Sequence, residues 1–352
     1  MKLLLSVYIL FIWISLASII YHPIPHASLI ASPECIATIS GCNHSNFHAR
    51  DRLLKRSTRQ KCSPPQPSRR DKPVLPNRSI NNATLWRRVM TLPTDSNHVG
   101  GIEGFVMRET GEAISTVWDV EYTGPDGESS PQGINNALFD DFKTARSFSA
   151  THLQGCTMLV VISRKGVYIG HYWESIAFAP DDVQRFYVDD RKATDEEMLQ
   201  LSVLDGLEKG IPGRTGSEKF QMSLTRFASI LADEHVKAYL IRPRKSHQQD
   251  QDEETDPNHT VAPELMGYPE QWKKMKDTVT RILPKIGEDG RWVEVIYDAT
   301  SDEGTLEETS RGRVLFKFDP DQKSARRTEK KTRLAILWSE QREIHRDEWK
   351  ET

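Results

Sequence analysis

The chain has 352 residues, of which 37% are hydrophobic and 28% charged, and 47 basic against 50 acidic side chains leave a formal net charge of −3. That balance gives no global attraction to nucleic acid. No zinc-finger spacing, P-loop or GxGxxG fingerprint occurs, so neither a nucleic-acid partner, a cofactor nor a metal is expected.

The N-terminus, MKLLLSVYILFIWISLA, places one lysine before an apolar run and offers a small-x-small cleavage site at Ser15-Leu16-Ala17. This is the layout of a secretory signal peptide over 1–17, the alternative being a retained anchor, since the run reaches Ile20. No second apolar stretch is long enough to cross a bilayer, so no stable membrane span is expected once the signal is removed. Sequons at Asn43, Asn77, Asn82 and Asn258 agree with an extracellular, secreted glycoprotein. In an oxidising compartment two of Cys35, Cys42 and Cys62 are expected to pair, and Cys156 is open as partner to the odd one.

Residues 18–84 read as a basic, Pro-rich leader without a core. Between Arg50 and Lys72 nine Lys or Arg stand against two Asp, with Pro64-Pro65-Gln66-Pro67 beyond the midpoint. Leu53-Leu54-Lys55-Arg56 suits a processing protease, which makes residues up to 56 either a propeptide or an uncut basic arm. His22, His26, His44 and His48 lie in this leader without spacing that selects a metal.

From 85 to 345 the pattern is globular. Ile114–Tyr122 reads as a strand ended by Gly124-Pro125-Asp126-Gly127. Residues 134–147 place Ala137, Leu138, Phe142 and Ala145 on one helical face, and a hairpin follows at 157–173. Thr194-Asp195-Glu196-Glu197 is a capping box opening a helix with Met198, Leu201, Leu204 and Leu207. Phe220, Leu224, Phe227 and Leu231 predict another helix, and Val236–Ile241 a strand. The acidic stretch 246–260 reads as a surface loop, followed by a helix over 269–283 and strands at 291–298, 312–318 and 332–338. The basic run Lys323–Arg333 reads as a charged hairpin loop. Strands and helices mix without βαβ alternation, so the expected class is α+β, a mixed or antiparallel sheet sandwich with flanking helices.

The hairpin, LQGCTMLVVISRKGVYIGHYW over 153–173, carries the chemistry. With Arg164-Lys165 as a two-residue loop, residue 158 faces 171, and Cys156 lies diagonal to His171 on the same face. A register slip of one residue, or Gly166 as a left-handed bulge, would send His171 to the other face. Cys156 and His171 are then either core packing or a thiol nucleophile with its base. In the second case backbone N–H groups at the Gly155-Cys156 bend hold an oxyanion, and Trp173 is a substrate-side wall or part of the core.

Leu153-Gln154-Gly155-Cys156 resembles the Leu-Ser-Gly-Cys motif of bacterial cytotoxic necrotizing factors and related glutamine-deamidating toxins, whose fold bacterial chemoreceptor glutamine deamidases share. The resemblance is confined to the hairpin, and Gln154 stands where that family has serine. It implies a deamidase-like sandwich acting on a protein glutamine through a thioester, with Cys156 as nucleophile and His171 as base. The family's histidine-orienting element varies between a hydroxyl and a backbone carbonyl. Here that leaves Thr151, Ser149 or a carbonyl of Val117–Val120. The alternative function is a secreted effector or binding module on the same fold, without catalysis.

Overall fold

The computed structural model describes residues 90–94, 100–115, 122–123, 129–130, 135–212, 219–256, 258–321 and 330–351. The signal segment, the leader, its processing site, Cys35, Cys42, Cys62, Asn43, Asn77 and Asn82 lie outside them. The chain divides into two units, one comprising 1–47 and 186–192 and the other 48–185 and 193–352.

In the larger unit the strands run β1 (Ile114–Ser115), β2 (Tyr122–Thr123), β3 (Ser129–Ser130), β4 (Asn136–Asp140), β5 (Arg146–Ala150), β6 (Thr157–Ile162) and β7 (Val167–Tyr172). In the smaller unit, β8 (Tyr187–Val188) and β9 (Arg191–Lys192) form a hairpin. Its corner residues Asp189 and Asp190 both adopt left-handed φ, as a tight primed turn requires. The larger unit continues with β10 (Ile211–Pro212), β11 (Lys219–Gln221), β12 (Lys237–Pro243), β13 (Trp292–Tyr297), β14 (Val314–Asp319), β15 (Thr332–Ser339) and β16 (Arg342–Lys350). Its helices are α1 (Gly101–Glu112), α2 (Asp195–Leu199), α3 (Asp205–Lys209), α4 (Leu224–Leu231), α5 (His247–Thr255), α6 (Pro269–Ile282) and α7 (Glu303–Glu308).

Two mixed, mainly antiparallel sheets form the core, in the orders β10-β11-β4-β7-β6-β12-β13 and β1-β5-β14-β15-β16. This is the expected α+β class. Met158, Val160 and Ile169 of the first sheet meet Phe148, Ala150, Val314, Phe316 and Leu337 of the second across an apolar seam. The other face of the first sheet, with Leu159, Val161, Tyr168 and Tyr172, packs on Leu199, Val203, Leu207, Trp272, Met275 and Val279 of the helices. The other face of the second sheet, with Leu315, Ile336 and Trp338, packs on Phe105 and Val106 of α1. Because β6 and β7 are buried on both faces, their sequences TMLVVI and VYIGHY lack the alternation of a half-exposed strand.

Several expectations are corrected. Residues 134–147 are not a helix but the strands β4 and β5. Phe142, with left-handed φ, sits at the corner between them and stacks on Phe318 at 4.0 Å. The helical spacing was coincidental, because aromatic burial between strands outweighs local periodicity. The stretch after Ser246 is helix α5, opened by a capping box in which Ser246 and Gln249 bond each other's backbone N–H. The turn carrying Asn258, after α5, is exposed. Phe220 lies in strand β11, and the helix after it begins at Leu224, capped by Ser223. Of the strand expected at Ile114–Tyr122, residues 116–121 lie outside the described set. Strand β16 runs to Lys350, past the expected domain edge at 345. The capping box at Thr194 and the helix at Pro269 form as expected. Among the described residues, no helix is long and apolar enough to cross a membrane.

The two sheets are clasped at one side by polar contacts. Arg164, in the β6–β7 turn, makes a two-pronged bond to Asp347 of β16 at 2.8 and 2.9 Å and lies over the Trp349 ring. Tyr239 of β12 bonds Nδ1 of buried His345 at 2.7 Å. Burial pushes His345 down to about 4, with Asp347 and Glu343 opposing the shift and Lys237 adding to it. The unfolded imidazole takes its proton near pH 6.5 and the folded one only near 4. Stability from this residue is therefore full above pH 6.5 and is lost as pH falls through 4, on the order of 3 kcal/mol at the limit. Urea unfolding at pH 7 and pH 4.5 should show a smaller acid loss for His345→Gln than for wild type. Equal losses would mean the clasp histidine does not govern acid lability.

Candidate functional site

The hairpin turn sets the site. Ile162 pairs with Val167, and Ser163 N–H donates to the Gly166 carbonyl at 3.0 Å, leaving Arg164-Lys165 at the tip. Gly166 is not in a left-handed conformation. Its hydrogen stands where a β-carbon would lie 2.6 Å from the Asp140 carbonyl, so close approach of β4 is what requires glycine. Counting back, Met158 pairs with His171 and Thr157 with Tyr172. His171 therefore faces the seam with Met158. Cys156, one residue before β6, falls on that face diagonal to His171 by strand alternation, about 7–8 Å between α-carbons for such neighbours.

Cys156 is fully buried and disulfide-bonded. Its partner is not among the described residues, and the chain's other cysteines are Cys35, Cys42 and Cys62. A free thiolate is absent from this state. The segment leading to it is tightly held. His152 has a left-handed φ of 58°, and Leu153 N–H donates to the Gly312 carbonyl at 3.0 Å. Tyr297 donates its hydroxyl proton to the Cys156 carbonyl at 2.7 Å, and Trp272 Nε1 donates to Thr157 Oγ1 at 3.0 Å. Gln154 and Gly155 form a bend, with Gly155 at φ 159°, essentially extended.

His171 is 1% exposed, and burial pushes its imidazole down to about 3, so it is neutral across the physiological range. Its Nδ1 has no hydrogen-bond partner. Trp173 is buried, and its ring meets the imidazole edge-on at 4.5 Å. Trp173 is thus core packing that fixes one side of the imidazole, rather than an open wall.

Neither hydroxyl expected to orient His171 does so. Thr151 Oγ1 is 3.1 Å from Nδ1 of His152, its own neighbour. Ser149 points to the opposite face of its sheet and donates to the Thr110 carbonyl of α1 at 3.0 Å. Strand alternation separates Ser149 from the seam, which sequence proximity to Cys156 could not reveal. The carbonyls of Val117–Val120 lie outside the described residues.

The structure adds residues that sequence reading missed. Asn135 accepts from Trp173 N–H at 2.8 Å and donates to the Ser202 carbonyl at 2.9 Å. That carbonyl also accepts from Gln221 Nε2 at 2.6 Å. It is available because Gln200–Leu204 winds as a π turn, which breaks the α ladder between α2 and α3. Asn136 is the direct cross-strand partner of His171 on β4, and its Oδ1 is buried without a partner. Glu174, fully buried, accepts from Tyr268 Oη at 2.6 Å and His247 N–H at 3.0 Å, docking the start of α5 behind the hairpin. The only signals for these residues were Asn-Asn before a strand and an acid after HYW, both compatible with loops.

No protein-family model matches the sequence, and no curated protein matches it. Gly312 supplies a direct test of how the Cys156 segment is held. It has φ +62°, and an added β-carbon would lie 3.0 Å from both the backbone nitrogen and oxygen of Leu153. Gly312→Ala should cost about 1 kcal/mol or more in urea unfolding. A neutral effect would show that this docking is not rigid.

Proposed function

We propose that the chain is a secreted glycoprotein whose reduced form hydrolyses a protein glutamine carboxamide, with Cys156 as nucleophile and His171 as general base. The observation that supports this reading is the register pairing Met158 with His171, which sets Cys156 and His171 on one sheet face. Secretion rests on the N-terminal signal layout, the sequons and the disulfide at Cys156.

The disulfide defines the order of events. Two molecules of a small thiol, RSH, reduce it to two protein thiols and leave RSSR. His171 then takes the Cys156 proton. The resulting thiolate places an opposite charge beside the imidazolium, offsetting the burial that keeps His171 neutral in the oxidised state. The thiolate sulfur bonds to the carboxamide carbon. Collapse of the adduct breaks the C–N bond, and His171 gives its proton to the departing ammonia. Water, deprotonated by His171, cleaves the thioester and returns the thiol. The net change is glutamine plus water to glutamate plus ammonium.

The test is ammonia release from casein and from a soluble eukaryotic protein extract, with full-length protein before and after reduction. Release is expected only after reduction, lost in Cys156→Ser and His171→Ala, and accompanied by the mass gain of amide-to-acid conversion. Equal release by reduced wild type and Cys156→Ser would remove Cys156 as nucleophile. A second reading, a secreted binding module without catalysis, is favoured by one observation, the buried and oxidised state of Cys156. Under it, Cys156→Ser lowers stability but no preparation releases ammonia.

A further inference from the structure

We infer that Asn136 is a positioning residue that holds His171 through its Nδ1 and so presents Nε2 as the basic nitrogen, an inference that rests on the proposed Cys156–His171 chemistry. The two are direct partners in the antiparallel β4–β7 pair. Their side chains therefore leave the same face of the sheet with β-carbons about 4.5–5.5 Å apart. Asn136 is 4% exposed and His171 1%. Each carries one buried atom without a partner, Oδ1 on Asn136 and Nδ1 on His171. An amide oxygen accepts only, and a neutral imidazole must donate from one of its nitrogens, so the two orphans are chemically complementary. Nδ1–H then donates to Oδ1, and the lone pair stays on Nε2.

The neighbouring candidates are committed elsewhere. Thr151 is bonded to His152 and Ser149 to the Thr110 carbonyl. Asn135 is used on both sides of its amide, by Trp173 and Ser202. The edge-on Trp173 ring limits where the imidazole can turn. The charged and titratable groups of the packed elements face away or are bonded elsewhere. Tyr168 and Tyr172 face the helices, Glu174 is held by Tyr268 and the His247 amide, and His345 is bonded to Tyr239. Arg313 is enclosed by the Leu306 and Thr309 carbonyls. A neutral amide also suits a base better than a carboxylate would. It fixes the tautomer without adding a charge that would hold the imidazole protonated.

The experiment uses reduced, full-length, 15N-labelled protein and long-range 1H–15N correlation at His171, together with ammonia-release kinetics. Wild type should show the Nδ1–H tautomer. Asn136→Leu should lose that preference and lower kcat by about tenfold or more with little change in KM. Asn136→Asp, which keeps an acceptor, should retain the Nδ1–H tautomer while moving the His171 titration and the acid limb of the pH–rate profile to higher pH. Unchanged tautomer and titration in both folded variants would overturn the assignment. The magnetic-resonance readout does not depend on turnover. Absence of ammonia release by wild type therefore counts against the proposed reaction, whereas an unaltered tautomer counts against Asn136.

Discussion

The register of the β6–β7 hairpin is the constraint on which the remaining geometry depends. Four residues, Ser163 to Gly166, close the turn, and the close approach of Gly166 to the Asp140 carbonyl ties it to the next strand. One extra residue in that turn would move every side chain of β7 to the opposite face. His171 would then lie among the helix-facing tyrosines rather than beside Met158 and the Cys156 segment. Arg164 at the tip bonds Asp347 of the second sheet and through its N–H also Asp233, so the same four residues set both the register and the contact between sheets.

Burial then decides the chemical state of what the register brings together. In an apolar seam an imidazole has no solvent to stabilise its charge, and His171 stays neutral. A buried thiol in the same place would be inert for the same reason, and in this structure the sulfur is oxidised instead. On the helix side Asn135 and Gln221 both donate to the Ser202 carbonyl, while Ser202 Oγ and Gln221 Oε1 lack partners, as Asn136 Oδ1 and His171 Nδ1 do on the seam side. What distinguishes Asn136 and His171 is that they are direct cross-strand partners whose unpaired atoms complement each other.

How much of this was legible in the sequence follows from where each signal is local. The hairpin and its register were readable because a tight turn between two apolar runs specifies pairing over short range. Capping at Thr194 and the Pro269 helix start were readable for the same reason. Residues 134–147 misled because β4 and β5 are short, and their apolar residues match helical spacing while packing on partners far away in sequence. Strand β16, REIHRDEWK, was missed because it is an edge strand whose register shifts at Ile344, and its charges hide the alternation of His345, Asp347 and Trp349. The orienting role expected for Ser149 failed on alternation, and Thr151 is engaged by its own neighbour His152. Proximity along the chain says nothing about which side of a sheet a hydroxyl takes, and Asn136 is twenty residues from Cys156 yet opposite His171.

The fold also explains why a sheet interior can hold such a pair at all. Cys156 sits before β6 begins and Trp173 after β7 ends, so the site lies where the ladder stops rather than in its middle. There the backbone no longer has to satisfy strand pairing, and side chains take over: Asn135 receives the Trp173 N–H, and Tyr297 and Trp272 hold the entry to β6. A strand end fixed in this way combines a rigid frame with backbone groups released from the sheet. The left-handed His152 and the Gly312 docking extend that frame upstream of Cys156. The residues leading to the sulfur are thus held by backbone and side-chain contacts, and the buried strands β6 and β7 behind them supply apolar support.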